Sequence, residues 1–339
     1  MATIRDIAEL SDVSIATVSR VLNGRADVRP ETSKRVLESM KALNYLPHAA
    51  ARNLRRRQSG GGDLNFAVGL LFFHPAVFSD QPFFANLAAA VERALRQRGV
   101  AMSIITASPD GDVPREIQSA DVDGVISWGS APLVKEIGKH VPAVTVDVYN
   151  PDLGVFGVAP DYRGGVHEAV TCLLKAGHRR IAFLTGNPQN QARYAFASLV
   201  HEGCIQAYAD AGIPVWPGVH PAQAFTAAPA YQIALSLLSG SDRPDALLAS
   251  DGAMLGVCRA AYELGLRVPG EISLVGIDGI AEAEFYAPSL TTIDTHIDTL
   301  GASAVRALLE AIEIGKSRMG MELVATTLCE RASARLSPR

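Results

Sequence analysis

Apolar residues recur at helical spacing through the first 45 positions of the chain and in short strand-like blocks after position 65. Ile4, Ile7, Ala8 and Leu10 predict a short helix, and Thr3 with Asp6 makes a capping-box-like start with Asp in place of Glu or Gln. Ser11-Asp12-Val13 reads as a tight turn. Ser14 then caps a second helix that runs to Leu22 and turns Val18, Val21 and Leu22 inward. Asn23-Gly24 stops it, because both residues tolerate the left-handed conformation that ends helices. Pro30 suits the first turn of a third helix whose inner face is Val36, Leu37, Met40 and Leu43. Two short helices joined by a tight turn and buttressed by a third make a helix-turn-helix.

Past Phe66 the pattern changes. Apolar, β-rich runs at 66–72, 101–106, 125–128 and 143–148 alternate with amphipathic helical stretches such as 84–98. The alternation repeats around 180–184, 246–249 and 272–276. Strands and helices in alternation predict parallel sheets covered by helices, with enough units for two Rossmann-like lobes. The fold class expected is an N-terminal all-α head followed by a two-lobed α/β body. Ligands of such folds sit at the carboxyl ends of strands, here between the lobes.

Charge divides along the same boundary. The chain has a formal net charge of -4, but residues 1–58 carry +5 and the remainder -9. A basic head on an acidic body is the polarity expected when only the head meets a polyanion. The four cysteines, Cys172, Cys204, Cys258 and Cys329, form no CxxC pair, which fits reduced thiols in the cytosol. The opening MATIRDIAEL has no basic-then-apolar signal pattern, and no apolar run approaches the roughly 18 residues of a membrane span. A cytoplasmic protein is expected.

With its buried positions removed, the second helix exposes Ile15, Ala16, Thr17, Ser19 and Arg20. In a helix-turn-helix this helix enters the major groove of double-stranded DNA, leading with its N-terminal residues. Arg20 can hold guanine O6 and N7 through two hydrogen bonds, and Ile15 and Ala16 suit thymine methyls. Ser14, Thr17 and Ser19 can bond phosphates, which sets register without reading sequence.

These residues carry a resemblance to a family. The run V-S-x-x-T-V-S-R-V-L-N over 13–23, and L-N-Y-x-P-x-x-x-A-R-x-L from Leu43 through Tyr45, Pro47, Ala51 and Arg52 to Leu54, resemble the DNA-binding head of the lac/gal repressor family. The resemblance continues through GHRRIAFLTG (177–186), PDALLASDGAMLG (244–256), GLRVPGEISLVGID (265–278) and PSLTTI (288–293). It implies a head over 1–46, a hinge helix and linker over 47–63, and a periplasmic-binding-protein-like effector and dimerisation body over 64–339. It places Thr3, Asn23, Tyr45, Ala51, Arg52, Leu54 and Arg55 with the head residues above as DNA contacts. Leu54 matches the family's minor-groove wedge, and Arg52, Arg55, Arg56 and Arg57 supply phosphate or narrow-groove contacts. The Ser59-Gly60-Gly61-Gly62 linker is richer in glycine than the family pattern.

For an effector, the resemblance points to Phe83, Phe84, Asp147, Phe225, Ser250 and Asp278. It also marks Val200, which stands where the family's R-x-x-G-F/Y segment has arginine, and Tyr162, where asparagine is common. Losing a five-donor guanidinium removes an obvious partner for sugar hydroxyls or a carboxylate. The implied protein is a homodimeric repressor that binds a near-palindromic operator and answers to a small molecule, a sugar or related metabolite. A metabolite-responsive activator or a corepressor-dependent regulator has the same residues. An enzyme with an added head lacks its motifs: the chain has no GxxxxGK, GxSxG, SxxK, HExxH or post-strand GxGxxG. No cofactor, metal site or membrane partner is implied.

Overall fold

The computed structural model describes residues 4–22, 28–43, 66–73, 82–119, 121–129, 132–147, 150–184, 196–216 and 225–338. In the head these give α1 (Ile4–Leu10), α2 (Ile15–Leu22) and α3 (Pro30–Ala42). α1 ends where the Ser11 hydroxyl donates to the Ile7 carbonyl and Asp12 takes a φ of 48°. The Val13 N–H then returns to the Ala8 carbonyl at 3.0 Å and closes the turn. Ser14 Oγ accepts the Thr17 N–H at 3.0 Å, so the expected cap forms. Ile7, Ala8, Val18, Val21 and Val36 make the head's core, with Val13, Val28, Met40 and Leu43 packed on it. Leu37 departs from the expectation and is 38% exposed. α3 faces the core through Val36 and Met40, one turn apart, which swings Leu37 about 100° round the axis.

The body forms two sheets. The first lobe contains β1 (Ala67–Phe72), α4 (Pro82–Arg96), β2 (Ala101–Thr106), α5 (Arg115–Gln118), β3 (Gly124–Trp128), α6 (Leu133–Ile137), β4 (Ala143–Val146) and β5 (Phe156–Pro160). The chain then crosses to the second lobe for α7 (Tyr162–Lys175), β6 (Ile181–Phe183), α8 (Phe196–Asp210), α9 (Ala227–Ser239), β7 (Ala246–Ser250), α10 (Asp251–Glu263), β8 (Ser273–Asp278) and β9 (Thr291–Asp294). It returns to the first lobe with α11 (Ile297–Ile314) and β10 (Gly320–Val324), and finishes in the second with β11 (Thr327–Cys329). The first sheet has the order β10-β5-β4-β3-β1-β2 and is parallel throughout; the second has the order β11-β9-β8-β7-β6, with only β11 antiparallel.

The central strands β4, β7 and β8 are buried along their whole length, as strands covered on both faces must be. On one side of the first sheet, α4 and α11 pack closely: a Cβ added to Gly301 would lie within 2.8 Å of Ala90 Cβ. Val68, Leu70, Val91, Val144, Val305 and Leu308 belong to the core there. Three chain crossings, β5 to α7, β9 to α11 and β10 to β11, join the lobes. In the first sheet, strand order reverses at β1, with β2 on one side and β3 on the other. Ligand sites of open α/β sheets form at the carboxyl ends beside such a reversal.

Candidate functional site

Two separate faces carry candidate chemistry. On the head, Ile15 is 46% exposed, and Ala16 and Arg20 are exposed with it, while Val18 and Val21 on the opposite side of α2 are buried. The helix therefore offers two apolar side chains and one guanidinium to solvent. Ser14 and Thr17 are hydrogen-bonded to each other at 2.9 Å at its N-terminus, where the free N–H groups of a helix favour phosphate. Ser19 lies in α2, and nothing further of its side chain is described. Thr3, Asn23, Tyr45, Ala51, Arg52, Leu54 and Arg55 lie outside the described residues.

The second face is built from strand ends. β4 stops at Asp147, which takes a φ of 76°, and β8 stops at Asp278, with a φ of 141°, followed by Gly279 at 78°. A Cβ at Gly279 would meet Asp294 Cα at 2.6 Å, so this turn requires glycine. Left-handed backbone at both carboxylates sets their side chains off the strand axis, a conformation that concentrates at functional sites. Asp147 accepts the Trp128 indole N–H at 3.0 Å on one oxygen and the Tyr162 hydroxyl at 2.5 Å on the other. Trp128, at the end of β3, meets Phe84 edge-on at 4.2 Å, and Phe84 meets Phe83 at 5.3 Å. From the second lobe, Tyr162 packs edge-on against Phe196 at 4.8 Å, and Phe196 lies 5.9 Å from Phe225. The aromatic chain thus runs from one lobe through the Asp147 bond to the other.

Asp278 Oδ2 accepts the backbone N–H of Asp251 at 3.2 Å. The Asp251 carboxylate accepts Gly279 N–H at 2.9 Å, Ile280 N–H at 3.0 Å and Thr292 Oγ1–H at 2.7 Å. Ser250, the cap residue of α10, directs its hydroxyl at the Phe225 carbonyl at 3.4 Å. Phe225, Ser250, Asp251 and Asp278 are therefore one connected group in the second lobe. Val200 is not part of it. It is fully buried in the core with Val166, Leu173 and Tyr208, so this position contributes packing and no polar contact. Sequence reasoning did not identify Trp128, Phe196 or Asp251; the available signals were a tryptophan closing a β-run and an aspartate following Ser250 at a strand-to-helix junction.

Burial raises the pKa of Asp147, with Tyr162 and Trp128 partly offsetting it. Asp278 is pushed well above the usual carboxylate range, first by burial and then by the nearby charges of Asp251 and Asp147. Asp251 is raised by burial to about 6, opposed by its hydrogen bonds. Because Asp251 has three donors and Asp278 one, Asp251 is the member of the pair that ionises first and Asp278 the member that keeps its proton. A folded-state pKa above the unfolded value gives stability that is complete below the unfolded pKa and lost as pH rises through the folded one. The pair should thus make the fold less stable as pH rises through about 6, where Asp251 ionises, and further above it, where Asp278 follows. In Asp278→Asn the unfolding free energy from urea titrations should fall less steeply with rising pH than in the parent protein. An unchanged pH slope would show that Asp278 holds no excess proton.

Among the described residues no arginine or lysine hydrogen-bonds to Asp147 or Asp278, and no group of three metal-ligating side chains is found. A separate open pocket of about 590 Å³, lined in part by Asp161, Tyr162, His167, Glu202, Met321 and Leu323, includes neither Asp147 nor Asp278. No helix of the described residues is long and apolar enough to cross a membrane. Cys172, Cys204, Cys258 and Cys329 are free thiols.

A helix-turn-helix head with an exposed second-helix face, followed by a two-lobed α/β body whose strand-end groups meet across the lobes, defines a DNA-binding regulator with an effector domain. Family models described as "Bacterial regulatory proteins, lacI family" and "Periplasmic binding protein-like domain" match residues 3–48 and 170–334. The ribose operon repressor of Halalkalibacterium halodurans is 33% identical over 326 residues, covering 92% of this chain and 91% of that protein. The transcriptional repressor PurR of Mannheimia succiniciproducens is 30% identical and covers 92% of each. Among solved structures, a transcriptional regulator CelR–cellobiose complex superposes with a TM-score of 0.69 at 26% identity, covering 98% of this chain and 100% of that one. The lac repressor dimer bound to operator and the anti-inducer ONPF superposes with a TM-score of 0.66 at 25% identity, covering 98% of each. The chain belongs to the LacI family. It is a DNA-binding transcriptional repressor with a periplasmic-binding-protein-like effector domain.

Proposed function

We propose that this repressor works as a cytoplasmic homodimer that reads a near-palindromic operator and is released or recruited by a small molecule held between its lobes. The observation that carries this reading is the exposed face of α2: Ile15, Ala16 and Arg20 project from a helix whose opposite side is the head's core. Residues 1–46 act as the head, 47–63 as hinge and linker, and 64–339 as the body. Thr3, Ser14, Thr17, Ser19, Asn23 and Tyr45 position the head on phosphates and sugars, while Ala51, Arg52 and Arg55 serve the hinge. Leu54 wedges between central base steps; unstacking costs a few kcal/mol, which the closer fit of protein to a bent duplex offsets.

Dimerisation is supported by an apolar stripe on the second lobe. Leu255 and Tyr262, two turns apart on α10, are 57% and 77% exposed, and Phe285 is 83% exposed. Surface this apolar favours burial against a like surface under two-fold symmetry, matching the symmetry of a palindrome. The similar lac repressor structure is that of a dimer on its operator. For the effector, the acceptor Asp147 and the protonated carboxyl of Asp278, with Phe84, Trp128 and Phe225, fit a neutral, hydroxyl-bearing molecule with an apolar face. Sugars match that description, and relatives include a cellobiose-bound regulator and a ribose operon repressor.

The test is fluorescence anisotropy at fixed near-physiological salt, with a palindrome carrying a central CG step and with its scramble. Preference for the palindrome by about a hundredfold or more is expected of specific binding. Equal weak binding, unaltered by added metabolite extract, would count against the head reading. Arg20→Ala should cost about 1–3 kcal/mol at the base pair it contacts and relax the preference there. A binding-site selection that returned the wild-type motif would remove Arg20 from sequence reading.

A further inference from the structure

Both oxygens of Asp147 are already taken by the protein's own donors, one from each lobe. Trp128 closes β3 of the first lobe, and Tyr162 opens α7 of the second. The position of Tyr162 is tightly determined. Asp161 caps α7 by accepting the Gly164 N–H at 2.9 Å, the Tyr162 ring is 2% exposed, and Phe196 holds its edge. Its phenol therefore has one direction in which to donate, and that direction crosses to the other lobe. Burial and the facing carboxylates Asp147 and Asp278 push its pKa well above the ordinary tyrosine value, so it stays a donor. Asp278, by contrast, has one oxygen engaged by the Asp251 N–H.

We propose that Tyr162 is the specificity-determining clasp of this cleft: its phenol occupies the acceptor position on Asp147 that an effector's hydroxyl would claim, and so ties lobe arrangement to effector binding. The proposal rests on the reading of the interlobe cleft as the effector site. A molecule that hydrogen-bonds only to Asp278 and packs on Phe225 leaves the clasp intact and has no means of shifting the lobes through it. A molecule whose donor replaces the phenol on Asp147 frees Tyr162, and the two lobes lose this polar tie. Only a ligand with different affinity for the clasped and unclasped arrangements can switch the repressor. Tyr162 thus selects for an effector that carries a donor placed to reach Asp147, with the protonated Asp278 carboxyl as its second polar partner.

Tyr162→Phe isolates the hydroxyl, since the ring keeps its place against Phe196. Trp128 shares the same carboxylate and reports on it directly, and Trp216→Phe leaves Trp128 as the single tryptophan of the full-length chain. In that background, Tyr162→Phe should red-shift Trp128 emission, raise acrylamide quenching about twofold, and change the affinity for the palindromic operator about fivefold or more, without any added effector. Asp147→Asn, which loses one acceptor at the same point, should change emission and operator affinity in the same direction, and circular dichroism checks that both variants are folded. Unchanged emission and quenching in folded Tyr162→Phe would overturn the clasp. Changed quenching with unchanged operator affinity would overturn its link to regulation. If the parent protein itself showed no operator preference, the DNA-binding reading would fail, while the quenching result would still decide the clasp.

Discussion

Alanine at position 251 is expected to lower folding stability by about 3 kcal/mol or more, making it among the most damaging single changes in the second lobe. The Asp251 side chain is fully buried and gathers three donors: two backbone N–H groups from the turn after β8, and the hydroxyl of Thr292 on β9. Its carboxylate also fills a slot of fixed size, since a Cβ added at Gly276 would come within 1.9 Å of Asp251 Oδ1. Truncation leaves three donors unpaired in a dry site, at about 1–3 kcal/mol each. One term acts in the opposite direction: at neutral pH the buried charge, with its pKa raised to about 6, costs up to about 3 kcal/mol, and its removal is a gain. The net loss should therefore be larger at about pH 5 than at about pH 8. Urea titrations at the two pH values measure it. A loss below about 1 kcal/mol at both would mean that water or a neighbouring acceptor replaces the carboxylate.

Leu255→Asp is expected to separate the proposed dimer and, with it, to weaken operator binding by about a hundredfold or more. Leu255 and Tyr262 lie on the outward face of α10, while Ala253, Met254, Val257 and Ala261 on the inward face are buried. Arg259 lies between them in sequence, with its guanidinium 5.9 Å from the Tyr262 ring and paired to Glu263 at 2.6 Å. This arrangement leaves the apolar stripe bordered by satisfied charge. In a symmetric dimer two aspartates would be buried, one on each copy, without a partner. A single head then binds a half-site alone and forfeits the effective concentration that linkage provides. Sedimentation equilibrium and anisotropy on the same preparation read the two effects. A dimer with wild-type operator affinity would place the interface on another face.

Several elements were legible along the chain because their cause is local. α1 and α2 could be read from apolar spacing, the Ser14 cap and the turn at Asp12. The strands β1, β3, β4, β7 and β8 stood out as short apolar runs because their parallel neighbours and covering helices bury both faces. β10 lacked that signal: it is an edge strand whose alternating burial leaves Met321 and Leu323 half-open to solvent. β11, three residues long, gave too little pattern to read. Leu37 was misplaced because a helix bearing apolar residues at both 36 and 37 does not say which one faces the core.

The candidate site divides the same way. Asp147 and Asp278 could be picked out because each follows a readable strand, and strand ends are where such folds bind ligands. The bond between Tyr162 and Asp147 could not, since the two residues are 15 positions apart and belong to different lobes. Asp251 looked like an ordinary helix-start carboxylate, and only the folding of β8 and β9 beside it reveals its three donors. Local spacing was enough to give the helices of the head, the alternation of strand and helix in the body, and the residue types at the strand ends, because these depend on neighbours within a few turns. Long-range folding fixed that Val200 is core, that each oxygen of Asp147 holds a donor, and that Asp278 feels the charges of two other carboxylates. Those outcomes depend on which distant segments the three lobe crossings bring within hydrogen-bonding and electrostatic reach.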